Sequence, residues 1–181
     1  MYKLVLILLI PLFLTQVYTE KEKYWDRTNM LTWSDFQGKP DSNSKYMAST
    51  TCEIVCRMET TDSEALVTVY CFFNTKESWT KTDDTYLLNH EQRHFDLYEA
   101  YTRKMRQALM EISETDVRKI ASQVKRIYDR YFRECSRNQD RYDSETQFSN
   151  NREKQQEWNR RIDMLIQETE TLTDPVIRIS L

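Results

Sequence analysis

The chain has 181 residues, with 26 lysines and arginines against 29 aspartates and glutamates and a formal net charge of −3, a length suited to one domain behind a short leader. A mildly acidic balance with both signs interspersed argues against nucleic acid as a partner. Gly38 is the single glycine, so phosphate-cradling loops and dinucleotide folds, which need several glycines in tight turns, are excluded.

One positive charge, Lys3, precedes the apolar run Leu4–Leu14, and the chain turns abruptly polar at Glu20-Lys21-Glu22-Lys23. That layout is a secretory signal, residues 1–19, with cleavage after Thr19. The run is shorter than the ~20 residues of a comfortable membrane span, although the small residues at the cleavage site are Val17 and Thr19 rather than alanines, which leaves an uncleaved anchor as the rival reading. Loss of Lys3 with the leader takes the net charge from −3 to −4. No later segment could cross a bilayer, so residues 20–181 are expected to form one secreted domain, extracellular or periplasmic.

Polar residues with two aromatic patches, Tyr24-Trp25 and Leu31–Phe36, lead into a turn-rich loop, Gln37–Ser44. Two period-two segments follow. Ala48, Cys52, Ile54, Cys56 and Met58 share one face of the first, and Val67, Val69, Cys71 and Phe73 share one face of the second. The short polar stretch Glu59–Ser63 joins them, the pattern of an antiparallel hairpin. A turn centred between Thr61 and Asp62 would set Cys52 opposite Cys71. Export to an oxidising compartment makes disulfides the expectation for the four cysteines, which allow three pairings; that register makes a Cys52–Cys71 bridge one option, leaving Cys56 for Cys135, and the alternative is four buried small hydrophobes.

Three helices come next. The first starts at an Asp83 or Asp84 cap and runs to about Ile112. The second has Ser113 or Thr115 as its cap and an apolar stripe through Val117, Ile120, Ala121, Val124, Ile127, Tyr128, Tyr131 and Cys135. The third begins near Asn150, with Glu153 as a capping-box partner and the stripe Trp158, Ile162, Leu165, Thr169, Leu172. Residues 174–181 are left as either an added strand or a tail. The fold class is therefore α+β, a small antiparallel sheet of a hairpin plus short strands packed on about three long helices.

The first helix carries His90-Glu91-Gln92-Arg93-His94, an H-E-x-x-H motif that contains both histidines of the chain. Residues four apart project from one helix face, so His90 and His94 can share one metal ion. A zinc ion lowers the pKa of its water to ~7, and Glu91, one residue on, can accept that proton as the oxygen attacks a carbonyl. The bland alternative is a pair of core-edge histidines. Glu99 and Asp96 lie too far around the helix, at ~100° per residue, to reach the same ion. Tyr98 and Tyr101 continue the face and are expected to pack rather than to donate to an oxyanion. Arg93, Arg103 and Arg106 read as a solvated helix face.

The order Leu31-Thr32-Trp33-Ser34-Asp35-Phe36-Gln37-Gly38, Ser78-Trp79, Leu87 to Leu97, Tyr142-Asp143-Ser144-Glu145-Thr146 and Gln156-Glu157-Trp158 resembles the domain-of-unknown-function-922 family, mainly bacterial secreted proteins that look like zincin-type metallopeptidases. The resemblance runs from about Leu31 to Leu165 and implies a zincin-like fold, Zn2+ as cofactor, His90 and His94 as ligands and Glu91 as general base. In one respect the chain departs from the family pattern, which has a histidine, the natural third ligand, where this sequence has Phe148. Either Asp143 or Glu145 takes over as an oxygen ligand, or the site holds metal weakly with two histidines and water, or it is dead, since catalytic zinc ordinarily keeps three protein ligands and a water. Three readings follow. The first is a secreted peptidase acting on a peptide or protein bound by strand addition along the sheet edge, as fold analogy suggests. The second is an inactive zincin-like binding or inhibitory module, and the third a disulfide-stapled structural protein. Oligomeric state is not legible.

Overall fold

The computed structural model describes residues 21–181; the expected signal segment lies outside the described residues. Its sheet is built around one long strand, β4 (Glu64–Asn74), which β3 (Cys52–Thr60) flanks antiparallel along one edge. Two short antiparallel strands share the other edge end to end: β1 (Glu22–Tyr24) against Phe72–Asn74 and β6 (Val176–Ser180) against Glu64–Thr68. The C-terminal segment is thus a strand and not a tail. A separate two-stranded ladder joins β2 (Ala48–Ser49) to β5 (Trp79–Thr80).

Alternation on β4 decides which face is covered. Ala65, Val67, Val69, Cys71 and Phe73 are buried with Cys52, Ile54, Ile177 and Ile179, whereas Tyr24 and Tyr70 meet on the opposite face. Against the buried face lies α1 (Thr85–Met110), with Phe95, Tyr101, Met105 and Leu109 in the shared core. Asp84 caps it, its carboxylate accepting from the backbone N–H groups of Tyr86 and Leu87, worth about 1 kcal/mol. α2 (Val117–Thr146) and α3 (Arg152–Glu168) pack on α1 in turn. The architecture is α+β with three long helices, as the hydrophobic periods require.

Three local expectations are corrected. The α2 cap is Asp116 rather than Ser113 or Thr115, because the Glu114 side chain already accepts from the N–H groups of Thr115 and Asp116, leaving the Asp116 carboxylate to serve Arg118 and Lys119. The α3 cap is Asn151, accepting from Lys154, without a capping box to Glu153. In the hairpin, Cys52 lies opposite Phe73 and Cys71 opposite Ile54. Thr61 to Glu64 close the turn, with Thr61 N–H donating to Glu64 O at 2.8 Å, so the register moves two residues from a turn centred at Thr61–Asp62. All four cysteines are free thiols. Burial pushes the Cys56 and Cys135 thiols up to about 12, and the Cys71 thiol donates to the Glu99 carboxylate at 3.2 Å.

Arg103 and Arg106 are not solvated. Both are buried around Glu99, whose Oε1 accepts from Arg103 Nε at 2.7 Å and Arg106 Nη1 at 3.3 Å. Arg106 also donates to Val69 O and Leu172 O, tying α1 to the sheet and to the segment after α3.

Gly38 sits where the loop crosses the β4–β5 connection, its N–H donating to Ser78 O at 2.7 Å. A Cβ there would lie 2.8 Å from Ser78 O and 2.9 Å from Lys76 O, backbone atoms that cannot swing aside. Gly38→Ala is expected to destabilise the fold by about 1–3 kcal/mol through overpacking, read as a lower midpoint in urea unfolding at unchanged slope. An unchanged midpoint would show that the two segments part without cost.

Candidate metal centre

His90 and His94 lie on consecutive turns of α1, about 1.7 and 2.8 turns from the Asp84 cap, on the side that meets α2. Their Nε2 atoms are 3.2 Å apart. Asp143, near the end of α2, sends Oδ1 to within 3.1 Å of His90 Nε2 and 3.0 Å of His94 Nε2. These three side chains form the one group of metal-ligating type with converging donor atoms among the described residues.

The outer nitrogens are already committed. His90 Nδ1 faces Gln155 Oε1 at 2.9 Å, and His94 Nδ1 faces Gln139 Oε1 at 2.6 Å. Each amide is oriented by its other end. Gln155 Nε2 donates to the Tyr142 hydroxyl and to Asn159 Oδ1, and Gln139 Nε2 donates to the backbone oxygen of His94. The glutamine oxygens therefore accept, each Nδ1 carries the proton, and a neutral imidazole then has only a lone pair at Nε2. Two lone pairs and a carboxylate oxygen crowd within 3.2 Å of one another. Such a cluster repels itself unless a cation, a proton or a metal ion, sits at its centre. Donors at ~2.0–2.1 Å from a tetrahedral zinc stand about 3.3 Å apart, so these residues fit that ion with small adjustment.

Electrostatics follow the same geometry. Burial opposes charge on His94, but the hydrogen bond and charge of Asp143 outweigh it and hold the imidazole above its ordinary value. Burial likewise opposes ionisation of Asp143, and the two imidazoles overcome it, holding the carboxyl below the usual carboxylate range. Tyr142 packs on both rings, stacked on His90 at 4.6 Å and edge-on to His94 at 4.9 Å, while its hydroxyl donates to His90 O.

The cluster opens into a cavity of about 560 Å³, lined also by Glu91, Leu87, Tyr46, Ser49, Thr50 and Phe148. Glu91 is 5% exposed, and its carboxylate makes no hydrogen bond among the described residues. β2 forms a wall, and Thr50 Oγ1 donates to the Glu91 backbone oxygen at 3.4 Å.

Of the two carboxylates weighed as third donor, only Asp143 arrives. Glu145 faces elsewhere, bound to Arg141 and to Trp158 Nε1 at 2.8 Å. Phe148 lies beyond the end of α2, 41% exposed at the cavity mouth. Gln147, Phe148 and Ser149 all have left-handed φ, 51°, 53° and 70°, costing roughly 1–2 kcal/mol each. Bonds from Phe148 N–H to Asp143 O and from Asn151 N–H to Thr146 O hold the reversal. Tyr98 and Tyr101 pack in the core away from the cavity, as expected. Asp96 also points away, its Oδ1 accepting from Trp25 and Gln92 and its Oδ2 from Arg93. Gln139, Tyr142 and Gln155 were not anticipated as supports. One signal existed: Gln139 precedes Asp143 by four residues and so shares its helix face.

Residues 31–152, more than half of the chain, match the family described as bacterial proteins of unknown function (DUF922). The chain belongs to that family. No curated protein and no solved structure matches it.

In chelator-treated protein the His94–Asp143 pair gives a signed pH dependence. The His94 contribution is full below the ordinary imidazole value of 6.5 and is lost as pH rises through its raised folded value. That of Asp143 is full above 3.8 and is lost as pH falls through its lowered folded value. The stability difference between the wild type and Asp143→Asn is therefore expected to peak between those two pH values. In NMR titrations the His94 midpoint should fall in Asp143→Asn; a midpoint that stays put would show that the carboxylate does not govern the ring.

Proposed function

We propose that this protein is a secreted zinc-dependent metallopeptidase, in which His90, His94 and Asp143 hold the metal and Glu91 is the general base. The reading is carried by three acceptor atoms meeting within 3.2 Å beside a buried carboxylate that has no other hydrogen-bond partner among the described residues. A bound zinc ion would supply the pull that brings a water's pKa to ~7 and polarises a carbonyl oxygen. Glu91 would accept the proton from an attacking water and return it to the leaving amine, the task for which an uncommitted carboxylate in a walled cavity is suited. Gln139 and Gln155 keep both imidazoles in the tautomer that offers Nε2, and Tyr142 fixes the ring planes. The resemblance to zincin-type peptidases makes the same assignment for His90, Glu91 and His94. β2 pairs with β5 alone in its sheet, so an extended peptide can align along its other edge, across the cavity wall. The apolar leader supports export, and a peptide or protein is the partner; nothing in the charge pattern calls for nucleic acid. Among the described residues no helix is long and apolar enough to cross a membrane.

Phe148 favours a second reading, the inactive zincin-like binding or inhibitory module, because it removes the family's histidine. Asp143 answers that objection with a third donor, and the uncommitted Glu91 has no evident use in a module that only binds.

Protein purified without chelator is expected to hold near one zinc per chain, to lose it in Asp143→Ala and to keep it in Glu145→Ala. Glu91→Gln should lower hydrolysis of an unfolded protein substrate by about 10²–10⁴-fold, the usual worth of a general base, with zinc content unchanged. Less than a tenth of an equivalent of zinc, even after zinc is supplied, removes the enzyme reading; hydrolysis that survives Glu91→Gln belongs to another site.

A further inference from the structure

Seven large apolar side chains are exposed among the described residues, and three of them, Tyr46, Met47 and Phe148, line the mouth of the one cavity that holds the His–Asp cluster. They are 38%, 49% and 41% exposed. Their placement is built from two directions. Tyr46 and Met47 come from the loop before β2, pinned by Lys81, whose N–H donates to Met47 O at 2.7 Å and whose ammonium donates to Ser44 O at 2.7 Å. Phe148 comes from the left-handed reversal between α2 and α3, and its N–H is bonded to the backbone oxygen of Asp143. The Tyr46 and Phe148 rings meet across the mouth at 4.9 Å between centroids, tilted by 46°. Lys45 places its ammonium 5.2 Å and 5.8 Å from the two ring centres.

Exposed aromatic rings at a cavity rim, carried on backbones that are otherwise anchored, give up solvent contact readily when another apolar group arrives. The Lys45 charge beside them disfavours an incoming cation. From this we infer that Tyr46, Met47 and Phe148 form a side-chain subsite that selects polypeptide substrates carrying a bulky apolar or aromatic residue next to the bond under attack. This deepens the peptidase reading and rests on it. The occupant is a substrate segment because the rim is continuous with the cavity wall that includes Glu91, His90, His94 and Asp143. The rings part to admit the side chain and then flank it, while the polypeptide backbone follows β2 past Glu91.

Binding can be read without turnover in zinc-loaded Glu91→Gln protein. Three fluorescently labelled, end-blocked octapeptides of alanine and glycine serve as probes, with phenylalanine, alanine or lysine at one central position. The phenylalanine peptide is expected to bind at least about tenfold more tightly than the alanine one, and the lysine peptide no better than alanine. Adding Phe148→Ala or Tyr46→Ala should shrink the phenylalanine preference to within about threefold, while Phe148→Tyr preserves it. Both positions are exposed, so folding and zinc content should stay at the parent level, checked by circular dichroism and metal analysis. Binding without a preference, equal binding of the lysine peptide, or a preference that survives both alanine variants overturns the subsite and leaves the peptidase reading standing. Failure of all three peptides to bind overturns both.

Discussion

Two imidazole nitrogens and a carboxylate oxygen meeting within 3.2 Å is an arrangement that a folded protein tolerates only with a proton or a metal ion among them. Here the meeting of His90, His94 and Asp143 depends on all three helices at once. α1 supplies the imidazoles, α2 supplies Asp143, Gln139 and Tyr142, and α3 supplies Gln155. A slip of one residue in any helix would turn its contributor through ~100° and break the set. The glutamines set the protons as well as the positions. Were either amide to present nitrogen instead of oxygen, the imidazole would have to accept at Nδ1 and protonate Nε2, and the inward lone pair would be gone.

Such a site needs a helix that does not roll, and the buried charges of α1 provide it. Glu99 is bound by Arg103, Arg106 and the Cys71 thiol, and Arg106 reaches backbone oxygens on β4 and after α3. Asp96 accepts from Trp25, Gln92 and Arg93, and Gln92 Oε1 accepts from Leu31 N–H at 2.7 Å. Isolated buried ion pairs are weak sources of stability, since desolvation offsets most of their attraction. They do fix rotation, because turning α1 would strand each charge without a partner at a cost of about 3–5 kcal/mol. The imidazoles thus face α2 because the opposite side of the same helix is locked to the sheet and to the N-terminal segment.

This explains which features were legible in the sequence. The motif, the Asp84 cap, the hairpin and the three helices follow from local rules of spacing, capping and period. The geometric exclusion of Asp96 and Glu99 also held, since it needed only the helix angle. The choice between Asp143 and Glu145 did not follow: two residues apart on a helix they point ~200° apart, so one of them had to miss, but which one depends on the face that α2 turns to α1. The expected opposition of Cys52 and Cys71 failed for a related reason. A hairpin's pattern fixes which residues face the core, and a register shift of two preserves that pattern while moving every cross-strand neighbour. Cys52, Cys71 and Cys135 are all buried, as the alternation and the α2 stripe require, yet the strand partners differ from those expected. Arg103 and Arg106 were misread because charge alone suggests solvent, and their compensation by Glu99 and backbone oxygens lies in tertiary structure.

Phe148 joins these threads. As an exchange of a ligand for a hydrocarbon it looks like loss of a site, but its position argues otherwise. Asp143 reaches the imidazoles from inside α2, one turn before the helix ends, whereas residue 148 leaves the helix through three successive left-handed residues and projects to the cavity rim. The two positions therefore serve different parts of one cavity. With Asp143 present, the number of converging donors is three whatever stands at 148, and what Phe148 sets is the chemistry of the mouth, an apolar ring that meets Tyr46. The reversal that displays Phe148 is strained, and strain of that kind is held in place by the surrounding structure and clusters where a residue has a use. On the proposed reading, that use is contact with the substrate, so the departure from the family pattern alters which polypeptide is accepted while the three donors and Glu91 remain in place.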